Sequence, residues 1–167
     1  MENRAFTYIE VLAAVVILGL ALIPLLSQFY IGFQSNITAE LVTQSIDLGA
    51  DLMEEIKSRR FDENAFPAEP VSANALGTDA GENSTQRATF DDIDDYNGWH
   101  ENPPQAIDGT ILTDFNSFTR SVAVDYVSLN GTNWQHSSSA TYLKRIVVTV
   151  SHPAIANRII ETIVAHY

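Results

Sequence analysis

The chain has 167 residues, 9 basic and 21 acidic side chains, no cysteine and 46% hydrophobic residues. That length allows one ordinary domain and is enough to bury a core. A formal charge of −12 argues against a nucleic-acid binder, which needs clustered Lys and Arg, and the lack of cysteine excludes disulfides, thiolate metal sites and cysteine nucleophiles. The imbalance is local: residues 61–114 hold 12 acids against one base, Arg87, whereas residues 115–167 hold 2 acids and 4 bases.

From Val11 to Leu26 the chain is apolar without interruption, and no charged residue occurs between Val11 and Ala39. A helix over residues 6–33 would be about 42 Å long at ~1.5 Å per residue. The hydrocarbon core of a bilayer is about 30 Å thick, so the segment is expected to span it. A cleaved secretory signal would need a small-x-small site after the apolar stretch, and Ser27-Gln28-Phe29-Tyr30 offers a poor one. A buried core helix is the other alternative, and apolarity on every face at the extreme N-terminus disfavours it. Gly19 and Pro24 are tolerated in membrane helices, with a kink or a weakened hydrogen-bond ladder expected at Pro24. Glu10 stands at the edge of this stretch. A carboxylate costs about 2.5–3.5 kcal/mol at mid-bilayer and less near the interface, so Glu10 either reaches the headgroups or has a functional partner.

The opening Arg4-Ala5-Phe6-Thr7-Tyr8-Ile9-Glu10-Val11-Leu12 resembles the signal of type IV prepilins and type II secretion pseudopilins. In that family a short polar leader precedes a phenylalanine that becomes the first mature residue, with glutamate fifth. The resemblance implies a leader at residues 1–5, cut between Ala5 and Phe6 by prepilin peptidase, and N-methylation of Phe6. Ala5 stands where the family usually has glycine, and Tyr8 where leucine is typical. Glu10 would be the fifth-position acid that pairs with the terminal amine of a neighbouring subunit. Each charge is costly alone in lipid, and pairing relieves both.

Residues 34–60 are expected to continue the helix beyond the membrane. Val42, Ile46, Gly49, Met53 and Ile56 recur at alternating spacings of four and three, with Leu41, Leu48 and Leu52 beside them, forming one apolar stripe. Acids at the start and Lys57, Arg59 and Arg60 at the end suit the helix dipole.

Residues 61–117 carry four prolines, several glycines and many Asn, Ser and Asp, the chemistry of turns and loops. Their most distinctive piece is Phe90-Asp91-Asp92-Ile93-Asp94-Asp95-Tyr96-Asn97-Gly98-Trp99. The first reading is a solvated acidic turn packed through Phe90, Ile93, Tyr96 and Trp99. The second is a calcium site using Asp91, Asp92, Asp94 and Asp95 as hard oxygen ligands, although the spacing is not that of an EF-hand. The segment also resembles a motif of MshD-type minor prepilins of mannose-sensitive haemagglutinin pili.

Residues 118–167 are expected to form an antiparallel sheet. Phe118, Val122, Val124 and Tyr126 alternate along a first strand, Asn130-Gly131 signals a turn, Leu143–Val150 is β-branched, and Arg158–Tyr167 supplies a third strand. One face would pack on the helical stripe, giving an α+β head; one long helix half in lipid and half under a sheet is also the pilin architecture that the resemblance implies. His100, His136, His152 and His166 show no metal-ligand spacing, and Ser137, Ser138 and Ser139 lack a nucleophile-elbow context, so no enzyme is expected. The resemblance implies a minor pilin-like subunit acting in pilus assembly or initiation and in adhesion. It would sit in the inner membrane with its head in the periplasm, and its partners would be other pilin subunits. A type II secretion pseudopilin, and an uncleaved membrane-anchored module binding calcium or protein, are the alternatives.

Overall fold

The computed structural model describes residues 7–62 and 76–166. Ala5 and Phe6, with the leader, lie outside the described residues. The chain divides into two compact units, residues 1–40 and 41–167. Its architecture is α+β and pilin-like, a long N-terminal helix packed on a small antiparallel five-stranded sheet.

Helix α1 spans Tyr8–Lys57. Its start is a capping box. The Thr7 N–H and Oγ1 each donate to Glu10 Oε2 at 2.8 Å, and the Glu10 N–H donates back to Thr7 Oγ1 at 3.4 Å. Two amide groups that a helix start leaves unpaired are thereby satisfied reciprocally. The pattern Thr-x-x-Glu was present in the sequence and carries this role directly. In the first unit every described side chain is exposed, and α1 is long and apolar enough to cross a membrane. The helix runs through Pro24 without a break in its assignment, and Ser27 Oγ donates to the Ile23 carbonyl at 3.0 Å.

In the second unit α1 buries Ser45, Leu48, Gly49, Leu52, Met53 and Ile56. Of the predicted stripe Gly49, Met53 and Ile56 are buried, with Leu48 and Leu52 beside them, whereas Ile46 is exposed. At Gly49 a Cβ would lie 2.6 Å from Ile160 Cδ1 and 3.1 Å from Val150 Cγ2, so helix and sheet meet closely at this glycine. Ser45 fits the buried face by donating its hydroxyl to the Val42 carbonyl at 2.7 Å. The helix ends at Lys57, three residues before the predicted end, and Arg60 instead bridges to Asp92.

The strands are β1 (His100–Glu101), β2 (Thr119–Asn130), β3 (Asn133–His136), β4 (Leu143–His152) and β5 (Ile155–Ala165). They lie in the order β1-β2-β4-β5, with β3 folded back on the end of β2, and every pairing is antiparallel. Two strands escaped the sequence reading. Strand β1 is two residues long, and β3 (Asn133-Trp134-Gln135-His136) lacks a β-branched run. Strand β3 follows from the Asn130-Gly131 turn, where Gly131 has φ of +65°. Strand β5 begins at Ile155, three residues before its predicted start, because the chain reverses within Pro153-Ala154.

Phe118, Val122, Val124 and Tyr126 face inward from β2 and its approach, and Ile146, Val148 and Val150 from β4. With the helix face and with Phe90, Ile93, Tyr96 and Trp99 they make the core. The same inward rows contain two cations, Arg120 near the start of β2 and Lys144 near the start of β4. Arg120 lies opposite Val150 and Lys144 opposite Tyr126, so the two charges sit at opposite ends of the β2–β4 ladder.

The contact at Gly49 predicts a graded response. Gly49→Ala should stay within about 1 kcal/mol of the natural protein, since better helix propensity offsets a small shift of the Ile160 side-chain tip. Gly49→Leu should cost about 1–3 kcal/mol by overpacking. Denaturant unfolding of the detergent-solubilised chain measures both.

Candidate functional site

The acidic motif folds by using its own carboxylates on its own backbone. Asp95 Oδ2 accepts the N–H groups of Asp91 and Asp92 at 2.9 and 3.0 Å, while Asp92 Oδ1 accepts those of Asp94 and Asp95 at 2.9 and 3.3 Å. This reciprocal capping winds Asp94–Tyr96 into a single helical turn. The apolar residues between the acids then point one way. Phe90 meets Tyr96 and Trp99 edge-on, with ring centroids 5.0 and 5.4 Å away. Gly98, at φ +82°, turns the chain to run beside β2; its N–H bonds the Val122 carbonyl at 3.1 Å, and the Val122 N–H bonds that of Trp99 at 2.9 Å.

The predicted packing of Phe90, Ile93, Tyr96 and Trp99 is observed, but the predicted solvation of the acids is not. Asp92, Asp94 and Asp95 are buried, between 3% and 5% exposed. The motif carries its charges inward because cations wait there. Lys144, fully buried, places Nζ 2.5 Å from Asp94 Oδ1, 3.7 Å from Asp62 Oδ2 and 2.6 Å from the Phe61 carbonyl oxygen. The Phe61 and Tyr126 rings lie 4.5 and 5.4 Å from the same nitrogen. Asp91, half-exposed, instead pairs with Arg60.

A second charge cluster holds the other end of the segment. Glu101, on β1, accepts from Arg120 and from Arg87 Nη1, the latter at 3.1 Å. Arg120 also donates to the Leu48 carbonyl of α1 at 3.1 Å, and both arginines donate to the Gln105 carbonyl at 2.7 Å. Glu55 of α1 joins in, 3.0 Å from Arg87 Nε and accepting the Tyr96 hydroxyl at 2.8 Å.

Burial dominates the ionisation of the motif. It raises the Asp94 carboxyl to about 8 against the pull of Lys144, and raises Asp95 to about 6, reinforced by Glu82. Burial likewise raises the Tyr96 and Tyr126 phenols, helped by Glu55 and Asp62 respectively.

The four aspartates read as one calcium ligand set are therefore divided. Asp92 and Asp94 form a group with Asp62, and Asp91 and Asp95 a group with Glu82; within each, carboxylate oxygens lie within 4.8 Å of one another. The first group already receives the Lys144 ammonium. The second supplies three carboxylates of the six to eight oxygen ligands that calcium takes, so Glu82, Asp91 and Asp95 are the residues that could hold a cation. Glu82 had no signal in the sequence, because it is brought in from outside the motif.

Among the described residues, one histidine pairs with a carboxylate, His136 Nδ1 with Asp125 Oδ2 at 3.1 Å. The neighbouring Ser137 hydroxyl donates to the Ser139 carbonyl rather than to that histidine, and Asp125 is taken up by Arg145. Beside the motif, a cavity of about 410 Å³ is lined by Phe90, Asp95, Asn97, Trp99 and His100 among others.

Compared with protein-family models, curated proteins and solved structures, the chain matches none of them significantly. The fold and site thus define its class: a pilin-like α+β protein with one N-terminal helix able to cross a membrane.

Two outcomes test the charge clusters. Arg120→Met leaves buried Glu101 short of a cation and should cost about 3–5 kcal/mol, read from denaturant unfolding. The raised Asp95 carboxyl is protonated in the folded state and ionised in the unfolded state between about pH 4 and pH 6. Its stabilisation is complete below that window and is lost as pH rises through about 6. Asp95→Asn keeps an acceptor for the two backbone N–H groups and removes the titration. The variant's melting temperature should therefore fall less than the natural protein's across this window, measured in a chelating buffer.

Proposed function

We propose that this chain is a minor type IV pilin-like subunit, anchored in the bacterial inner membrane by residues 6–33 with its head in the periplasm. It is processed between Ala5 and Phe6 and then packed through its N-terminal helix into a pilus, where it primes assembly or modifies adhesion. Its work is assembly without turnover. The observation that carries this reading is one helix, Tyr8–Lys57, that follows Phe6-Thr7 in the sequence, is apolar over its first part and ends as the packing face of an α+β head.

The mechanism follows from Glu10. Within the chain its carboxylate caps α1 through Thr7, which lowers the cost of bringing it to the membrane edge, and among the described residues no cation pairs with it. A neighbouring subunit whose cleaved N-terminus presents an amine supplies the opposite charge. Only the axial stagger that brings the two together relieves both, so the pair sets the register of packing.

Capping and charge can be separated experimentally. Glu10→Gln retains a side chain able to cap and loses the charge. The variant should insert normally and fail to enter fibres, whereas Glu10→Ala should also weaken the start of α1. Normal incorporation of Glu10→Gln would remove the pairing role. N-terminal sequencing of membrane-extracted protein should find methylated Phe6; an intact Met1 would instead mark an uncleaved anchored module.

A further inference from the structure

The sequence contains two Asn-Gly dipeptides, Asn97-Gly98 and Asn130-Gly131, and the fold treats them oppositely. All four residues are exposed, so solvent reaches both pairs alike. They differ in hydrogen bonding. Asn97 Oδ1 accepts the Val124 N–H at 3.1 Å, and the Gly98 N–H is committed to the Val122 carbonyl at 3.1 Å. At the turn between β2 and β3, the Gly131 N–H has no hydrogen-bond partner among the described residues. The Asn130 side chain makes one exposed contact there, its Nδ2 donating to Gln135 Oε1 at 3.3 Å. Gly131 carries no Cβ to shield its nitrogen, and its backbone rotates more freely than that of any other residue type.

We propose that Asn130 is a site of spontaneous deamidation and isoaspartate formation, a reaction from which the fold protects Asn97. Hydroxide from solvent is the base and water the co-reactant. Hydroxide takes the proton of the Gly131 N–H, and the nitrogen attacks Asn130 Cγ, closing a five-membered succinimide. Both reacting atoms belong to one dipeptide, so their approach needs only bond rotation. Nδ2 leaves as ammonia, taking a proton from water and restoring the hydroxide. A second water then opens the ring. Attack at Cγ breaks the new C–N bond and gives aspartate. Attack at the main-chain carbonyl breaks the original peptide bond and leaves the chain running through the side chain, as isoaspartate. One water is consumed and one ammonia released, with no change of oxidation state. Either product adds a negative charge at the hairpin tip, and isoaspartate also inserts a methylene into the main chain at the end of β2. Asn130 and Asn133 are the pair that closes β3 onto β2, and among the described strands β3 pairs with β2 alone, so the modified hairpin opens from its tip.

The full chain, purified from membranes in detergent, is incubated in mildly alkaline buffer and digested with trypsin for mass spectrometry. Asn130 falls in the fragment 121–144 and Asn97 in the fragment 88–120, so the two sites are read separately. Fragment 121–144 should gain the mass difference between –OH and –NH₂ and split into aspartyl and isoaspartyl forms, with fragmentation placing the change at Asn130. Conversion at Asn130 should outpace that at Asn97 by about tenfold or more, because Asn97-Gly98 must first break two hydrogen bonds. In denaturant the two sites should convert at similar rates. Equal conversion in the folded protein, or none at Asn130, would overturn the proposal. A difference that persists in denaturant would overturn it too, by placing the cause in local sequence and not in the fold. Asn130→Gln keeps an amide but needs a six-membered ring, and should leave the fragment at its unmodified mass; the same gain of mass in that variant would refute the assignment to Asn130.

Discussion

The head depends on one electrostatic constraint: an acidic segment can pack against the sheet only where cations meet its carboxylates. The stretch from 61 to 114 carries 12 acids against one base, and the strands that follow carry the surplus cations. Lys144 and Arg120 occupy inward positions that alternation would otherwise give to valine or isoleucine. Each is a buried charge that costs several kcal/mol to desolvate unless paired and fully hydrogen-bonded. Each is so paired, Lys144 with Asp94, Asp62 and a carbonyl, and Arg120 with Glu101 and two carbonyls. The two clusters work as pegs at opposite ends of the β2–β4 ladder, and between them Phe90, Ile93, Tyr96 and Trp99 fill the core. Hydrophobic burial supplies the driving force, and the charge pairs choose which arrangement of the segment can use it.

The clusters also connect α1 to the segment. Glu55 receives the Tyr96 hydroxyl and lies against Arg87, while the Leu48 carbonyl receives Arg120. These contacts come from the helix face beside Gly49, where helix and sheet meet closely. The rotation of α1 is thus fixed twice, by the missing side chain at Gly49 and by polar groups on either side of it. The buried face takes in Leu48, Gly49, Leu52, Met53 and Ile56 and leaves Ile46 exposed at its edge, a limit that periodicity alone does not mark.

The legible parts of the sequence were those governed by local rules. An all-apolar stretch, a stripe with helical spacing, two alternating strands and an Asn-Gly turn each report on neighbours a few residues away, and α1, β2, β4 and the turn after β2 follow them. What stayed hidden depends on distant partners. Charge runs ordinarily face water, so Asp92 and Asp94 read as solvated until Lys144, fifty residues beyond Asp94, is known to be inside. Lys144 shares the alternation of Ile146, Val148 and Val150, but nothing near it in the sequence names the carboxylates it meets. Glu82 joins Asp91 and Asp95 through a fold that spacing does not encode. One local signal, the Thr7-x-x-Glu10 capping box, was eclipsed by the question of what a carboxylate does in lipid.

That question has the same physical form as the one the head answers. A carboxylate in a poorly solvated place needs hydrogen bonds and a cation. In the head Asp94 and Glu101 obtain both from their own chain, through Lys144, Arg87 and Arg120. At the start of α1, Glu10 obtains hydrogen bonds from Thr7, but among the described residues no cation lies within ion-pairing distance of it. The sequence has no base between Arg4 and Lys57. Under the assembly proposed above, in which helices pack side by side and exclude water, the free amine of a processed neighbour would supply that cation. On that proposal, the requirement that the head resolves internally becomes, at the start of the same helix, a reason to associate.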